Sequence, residues 1–402
     1  MDQRIAVVGA GYAGMAAAVT LAGRNVAATV FESGSVPGGR ARRVVSQGTE
    51  LDNGQHIFVG AYTELFRLMR TVGVPPESTM RIPLELRYAG GFSLSTKRGL
   101  AAGLLAARGV PLGEKMAALR FMAFLKKSGF RLGTDIAVKQ LLEQHGQNGR
   151  IGRYLWQPLC VSALNTPIEQ ASANAFLAAL RDTLAGGAGA SDLVLPRVDL
   201  SRLFPEPAAE FIRSHGGEIR LRTPVDDIGA LKNEFGRVIV AVGPHQLKHL
   251  IPDASEFTYQ PIYTIYLQYP EHVKLEFPML GMSDGLVQWV FDRGTLNGER
   301  GRLACVISAQ GDHQQMSQDD IADRCHHELR SATLVLNDPL WSRVIAEKRA
   351  TIACAVGLQR PAIERDGVIL AGDYTDPEYP PTLEAAVRSG VRAAGLAARA
   401  SH

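Results

Sequence analysis

The sequence predicts an α/β fold built around a parallel sheet, and three observations predict it. A strand, a glycine-rich turn, a helix and a second strand open the chain. A late strand ends in Gly372 and Asp373 ahead of a long helix, and two short buried-type strands lie between these ends. The length, 402 residues, suits two to three domains. Apolar residues at 46% and charged residues at 21% exclude wholesale disorder and collagen-like repeats. Forty-three Lys and Arg against 40 Asp and Glu leave +3, too near neutral for a dedicated nucleic-acid binder. Cys160, Cys305, Cys325 and Cys354 lack any Cys-x-x-Cys spacing, so neither a metal site nor a disulfide framework is expected. A reducing, cytoplasmic setting is the simplest reading. No run approaches the ~18 apolar residues of a spanning helix, and the first apolar run belongs to a folded motif rather than a signal peptide.

Residues 4–8 form the first buried strand. They enter Gly9, Gly11 and Gly14, spaced as Gly-x-Gly-x-x-Gly, and then an Ala- and Leu-rich helix to Gly23. A second strand at 26–31 ends at Glu32. Gly9 permits the tight turn, Gly11 lets backbone approach a pyrophosphate, and Gly14 lets helix and strand pack closely. The helix N-terminus offers oriented N–H groups to phosphates. Glu32, 18 residues after Gly14, is placed to accept hydrogen bonds from ribose hydroxyls, which disfavours a 2′-phosphate.

The loop after the second strand distinguishes FAD from NAD. Gly38, Gly39 and Arg40 come directly after that strand, with Arg42 and Arg43 behind. Paired glycines let the chain pass close to a cofactor, and Arg40 can present a planar fork to phosphate oxygens. Residues 51–56, with Gly54, Gln55 and His56, suit a backbone running beside a flat ring. Near the C-terminus, 367–373 read as a buried strand ending in Gly372 and Asp373. Pro380 and Pro381 suit the first turn of a helix that continues through Thr382 and Leu383 to Arg399. Its N-terminal dipole would face the flavin edge that gains negative charge on reduction.

In the middle, 220–225 and 237–242 read as strands returning to the same sheet, with Val225 passing the adenine through its backbone. The FAD-binding domain is therefore expected from 1–80, 201–250 and 350–402, and an interleaved α+β substrate domain from 81–200 and 251–349. Strands at 259–269, 285–291 and 303–308 would wall an apolar cavity. Residues 97–131 interleave basic and apolar side chains; Met116, Leu119, Met122 and Ala123 repeat at helical spacing. Such a helix either sinks an apolar side into lipid headgroups, giving peripheral contact with the inner membrane, or packs on the domain. Residues 156–160 and 164–167 are expected to line the pocket. No second Gly-x-Gly-x-x-Gly unit follows a strand, so a separate electron donor is expected.

These motifs carry a resemblance. Gly38–Arg43, 51–57 followed by 60–62, 156–159, 164–167, 371–374 and 382–387 make the whole chain similar to the FAD-dependent amine oxidase and phytoene desaturase superfamily. Within it, the chain resembles the hydroxysqualene dehydroxylase family, also called squalene-associated FAD-dependent desaturases. The resemblance implies a Rossmann-like FAD-binding domain of the amine oxidase/phytoene desaturase type. It also implies FAD as cofactor and hydroxysqualene, a polyprenoid, as substrate on the way to squalene and hopanoids. It carries FAD contacts over to Gly9, Gly11, Gly14, Glu32, Gly39, Arg40, Val225 and Asp373, and Ala13, Gly54, Gln55, His56, Gly372, Thr382 and Leu383 complete the expected cofactor set. The implied reaction protonates an allylic hydroxyl, which leaves, and hydride from reduced flavin N5 quenches the cation in a water-excluding cavity. His56 and Tyr374 are the chosen acids among His56, Tyr62, Tyr374, Glu378 and Tyr379. A carotenoid or phytoene-type desaturase, an amine oxidase and a non-catalytic FAD-containing scaffold remain alternatives.

Overall fold

The computed structural model describes residues 4–251, 256–283, 285–332, 334–365 and 367–399. One sheet has six strands, in spatial order Glu218–Arg220, Ala28–Phe31, Ile5–Val8, Arg237–Val240, Val368–Leu370 and Glu364–Arg365. The first five run parallel and the last closes an antiparallel hairpin. Ile5–Val8 is buried throughout, as a short aliphatic run covered on both faces should be. The helix Tyr12–Ala22 packs on one face and buries all its residues but Thr20. Its alanines leave room for the helix Leu383–Arg399. At the crossing a Cβ on Gly390 would collide with the Ala13 carbonyl, so the two ends of the chain meet in close backbone contact.

The second sheet is antiparallel, in the order Met279–Gly281, Trp289–Asp292, Arg302–Ser308, Tyr259–Gln268, Trp341–Ile352. The period of two sorts its central strand. Tyr263, Ile265 and Leu267 join Ile321, Cys325 and Leu329 of the helix Gln318–Ser331 in one core, while Tyr266 joins Trp289, Phe291 and Val306 in another.

Several boundaries differ from expectation. Trp341–Ile352 forms a twelve-residue strand that the sequence hides, because an edge strand tolerates charged residues such as Arg343, Glu347, Lys348 and Arg349. The strand expected at 285–291 is confined to Trp289–Asp292. The one expected at 220–225 ends at Arg220, and Arg222 adopts a left-handed φ of 53° just beyond. Leu193–Pro196, expected in the substrate domain, pairs with Phe58–Val59 and Thr79–Ile82, and its Val194 packs in the core beneath the first sheet. Residues 350–352 stay in the second sheet.

In the helical region the structure favours packing on the domain, one of the two alternatives the sequence offers. The helix Leu112–Lys127 buries Ala118, Phe121, Met122 and Leu125 against the core, so the apolar side expected to meet lipid is largely packed. The exposed apolar side chains lie at its start and on the preceding helix: Leu105 is 48% exposed, Leu112 69% and Met116 42%. Trp156, expected at the pocket, is fully buried, donates to Gln147 Oε1 at 2.8 Å and meets Phe121 edge-on.

Candidate cofactor and substrate site

A cavity of about 830 Å³ runs from the C-terminal ends of the first sheet's strands to the inner face of the second sheet. That is where open α/β sheets place ligands. The three motif glycines divide the work there. Gly9 has φ 102°, and a Cβ on it would lie 2.7 Å from the Ala241 carbonyl oxygen. On Gly14 a Cβ would collide with the Gly9 carbonyl, so Gly14 serves packing and does not line the cavity. Beside Gly11 the nearest atom to a Cβ would be Gly39 Cα at 3.9 Å, so the space there is that of the cavity. No side chain caps the helix that Gly11 begins, which leaves its first N–H groups for a phosphate. An open glycine cradle, an uncapped helix start and an acid closing the second strand fit a dinucleotide.

Glu32 lines this cavity and also organises it. Its carboxylate accepts from Ala10 N–H at 2.8 Å and Gly34 N–H at 2.7 Å, holding the glycine turn against the loop after the second strand. Ala13, Val225, Gly39, Gly54, Gln55, His56, Gly372, Thr382 and Leu383 line it as well. Arg40 differs from expectation. Its Nη2 donates to both oxygens of Asp373 at 2.9 Å and its Nη1 to the Ala350 carbonyl at 2.7 Å. The fork expected for phosphate is closed on the carboxylate expected for the ribityl chain, joining the chain's two ends. Arg43 turns away to Asp199 and Glu206. Gly372 has φ 157°, and a Cβ there would collide with the Tyr374 ring. The last helix starts at Leu383, with Thr382 Oγ1 accepting from Ala385 N–H at 3.2 Å; Pro380 and Pro381 therefore precede the first turn instead of forming it.

The expected acids separate. Glu378 is exposed and paired with Arg131, and neither it nor Tyr379 lines the cavity. His56 does, with Nδ1 2.8 Å from the Gly54 carbonyl oxygen. A carbonyl only accepts, so Nδ1 carries the proton and Nε2 offers a lone pair. Burial, aided by the Arg40 charge, lowers the His56 pKa and keeps the ring neutral. Tyr374 packs with Val8, Val240 and Phe257 on the dinucleotide side, and its hydroxyl has no partner among the described residues. Tyr62 lines the cavity as well. Burial raises the pKa of both phenols.

Sequence reasoning missed the support of the far wall. Arg293, 3% exposed, donates through Nη1 to Gln55 Oε1 at 3.0 Å and lies 3.3 Å from Asp52 Oδ2; its Nε reaches Glu299 at 2.9 Å. Asp52 also accepts from Leu200 N–H at 2.8 Å, and Tyr266 donates to the Asp52 carbonyl. Burial pushes the Asp52 pKa up to about 6 against the pull of Arg293. Ile262, Trp289, Phe291 and Val306 complete this apolar wall.

Residues 12–398 match the family model for flavin-containing amine oxidoreductases, and the chain belongs to that family. It is a flavin-dependent oxidoreductase. Hydroxysqualene dehydroxylase of Sinorhizobium fredii is 26% identical over 99% of each chain. That of Rhodopseudomonas palustris is 27% identical over 98% of each. Among solved structures, putrescine oxidase bound to putrescine aligns with a TM-score of 0.70 at 16% identity, covering 99% of both chains, a likeness of fold.

Proposed function

We propose that this flavoenzyme is an FAD-dependent dehydroxylase that converts hydroxysqualene to squalene, in the supply of squalene for hopanoids. One observation carries the reading: the cavity passes without a break from a glycine-lined dinucleotide cradle to an apolar wall of Ile262, Trp289, Phe291 and Val306. A polyprenoid would lie along that wall, and the hydroxysqualene dehydroxylase relatives supply the identity of the polyprenoid. In this reading the FAD-binding domain comprises 1–80, 201–250 and 353–402, joined by the strand at 193–196.

Gly11, the start of the first helix and Glu32 would hold the pyrophosphate and ribose, and Thr382 and Leu383 the flavin edge. When reduced, the bound flavin supplies a hydride. The chain's own task is to keep water from the allylic cation and to hold a proton near the departing hydroxyl. Neutral His56 presents a lone pair there, so the proton comes from a phenol, Tyr62 or Tyr374, each of which keeps its proton at neutral pH. The test is anaerobic turnover: reduced protein given hydroxysqualene should yield squalene by mass and reoxidise its flavin once per product. Bleaching of oxidised flavin by phytoene, with hydroxysqualene inert, would establish the desaturase instead. Tyr62→Phe or Tyr374→Phe should slow the single turnover more than His56→Ala.

The same reading places the enzyme peripherally on an anionic membrane such as the inner membrane, drawing electrons from a separate donor. No helix among the described residues is long and apolar enough to cross a membrane. Residues 97–131 hold eight Lys or Arg and one acid, Glu114, for +7, while the rest of the chain carries −4. Leu105, Leu112 and Met116 stand exposed within that basic segment. Leu112→Ser with Met116→Ser should lower sedimentation with phosphatidylglycerol vesicles; equal sedimentation would remove the membrane assignment.

A further inference from the structure

The cavity's far wall contains a polar pair whose orientation is dictated by chemistry. A guanidinium has donors only, so the Gln55 atom that meets Arg293 Nη1 at 3.0 Å must be the carbonyl oxygen. The amide NH2 of Gln55 therefore turns elsewhere, and it has no hydrogen-bond partner among the described residues. The neighbouring His56 is fixed in the opposite sense. Its Nδ1–H is committed to the Gly54 carbonyl, and its Nε2 offers a lone pair that also has no partner among the described residues. Both residues line the cavity.

The segment carrying them is held firmly. Gln55 N–H donates to Thr264 Oγ1 at 3.2 Å, Asp52 Oδ1 takes the Leu200 N–H, and the Asp52 carbonyl takes the Tyr266 hydroxyl. Arg293 itself is locked by Glu299 and Asp52. The wall thus presents one fixed donor and one fixed acceptor in the cavity that the apolar side chains Ile262, Trp289, Phe291 and Val306 also line.

A hydroxyl is the small group that needs one of each, since its oxygen accepts and its hydrogen donates. A hydrocarbon of the same length satisfies neither and leaves both unpaired, which is how a polar site rejects an analogue lacking the group it was built for. We propose that Gln55 and His56 form the subsite that recognises the hydroxyl of a polyprenoid alcohol, with Arg293 as the positioning residue that turns the Gln55 amide toward it. This inference rests on the dehydroxylase reading and adds the groups by which that reaction tells substrate from product. Loss of the hydroxyl removes both hydrogen bonds, so the same pair that selects the alcohol releases the hydrocarbon.

The test uses the flavin-loaded, oxidised protein, which cannot turn over, and reads binding of hydroxysqualene and of squalene from tryptophan emission. The wild-type protein should bind the alcohol about tenfold more tightly than the hydrocarbon, the effect of one or two hydrogen bonds. Gln55→Met should abolish that preference by weakening the alcohol alone. Gln55→Glu, which keeps the partner of Arg293 but replaces the donor by an acceptor, should do the same. Arg293→Lys should also remove the preference, and in the Gln55→Met background should change it no further, because it acts through Gln55. A Gln55→Met protein that keeps its preference, or one in which both ligands weaken equally, overturns the subsite. So does an Arg293→Lys effect that adds in full to that of Gln55→Met. If the wild-type protein binds both ligands equally, the subsite is overturned, whereas the dehydroxylase reading falls only if anaerobic turnover of hydroxysqualene yields no squalene.

Discussion

The two walls of the cavity are built from different materials. The dinucleotide wall is made of backbone: Gly9, Gly11, Gly39 and a helix start, with Glu32 bracing the turn through the Ala10 and Gly34 N–H groups. The opposite wall is made of side chains held by side chains, with Arg293 at its centre and partners up to 241 residues away in sequence. Backbone walls depend on what is absent, a Cβ, whereas side-chain walls depend on mutual satisfaction of buried charge. The first should fail locally and the second cooperatively.

The largest effect should come from the side-chain wall. Arg293→Met strands Asp52 and Glu299, and removing one partner from a buried ionic cluster costs about 3–5 kcal/mol. An unfolding free energy, from denaturant titration, lowered by less than a third of that would erase the difference between the walls. Next is Glu32→Ala, which removes charge-assisted hydrogen bonds of about 1.5–3 kcal/mol. Flavin retention through gel filtration should fall, and unchanged occupancy would refute the ribose assignment. The glycines sharpen the comparison within one wall. Gly14→Ala should destabilise the flavin-free protein by about 1–3 kcal/mol through overpacking, while Gly11→Val should leave its melting temperature nearly unchanged and yet yield colourless protein. A yellow Gly11→Val protein would show that the turn does not face the cofactor.

A further effect is one of pH. Asp52 has a folded pKa of about 6 against an ordinary 3.8, so the folded state holds its proton across that interval. Its contribution to stability is present in full below the unfolded value and is lost as pH rises through the folded one. Stability measured from pH 4 to 6.5 should therefore carry a downward component that Asp52→Asn removes. If the slope survives the substitution, the carboxyl titrates elsewhere.

The contrast also explains which features are legible in the sequence. Gly9, Gly11, Gly14 and Glu32 lie within one strand–turn–helix–strand unit, where spacing alone conveys the chemistry, and the late Gly372 and Asp373 share that quality. The partnership of Arg40 with Asp373 is not legible, because each looks complete as a cofactor ligand and nothing local turns a separation of 333 residues into a contact. Arg293 is invisible for a similar reason: a lone arginine after a strand reads as surface until its burial is known. The strand Trp341–Ile352 is masked by its own charges, and the sequence leaves Met122 open between lipid and core because periodicity marks an apolar face without saying what covers it.

The clasp between Arg40 and Asp373, with Gly390 pressed on Ala13, has a consequence for how the protein is made. Emerging from the ribosome, the nucleotide cradle stays unfinished until Asp373 and the helix Leu383–Arg399 have been translated, because the carboxylate that pairs with Arg40 lies 333 residues after it and the covering helix follows. Synthesis order and assembly order are thus opposed, and a rearranged chain in which residues 367–399 are translated ahead of residues 4–32 should acquire its coenzyme earlier on the ribosome than the present order allows.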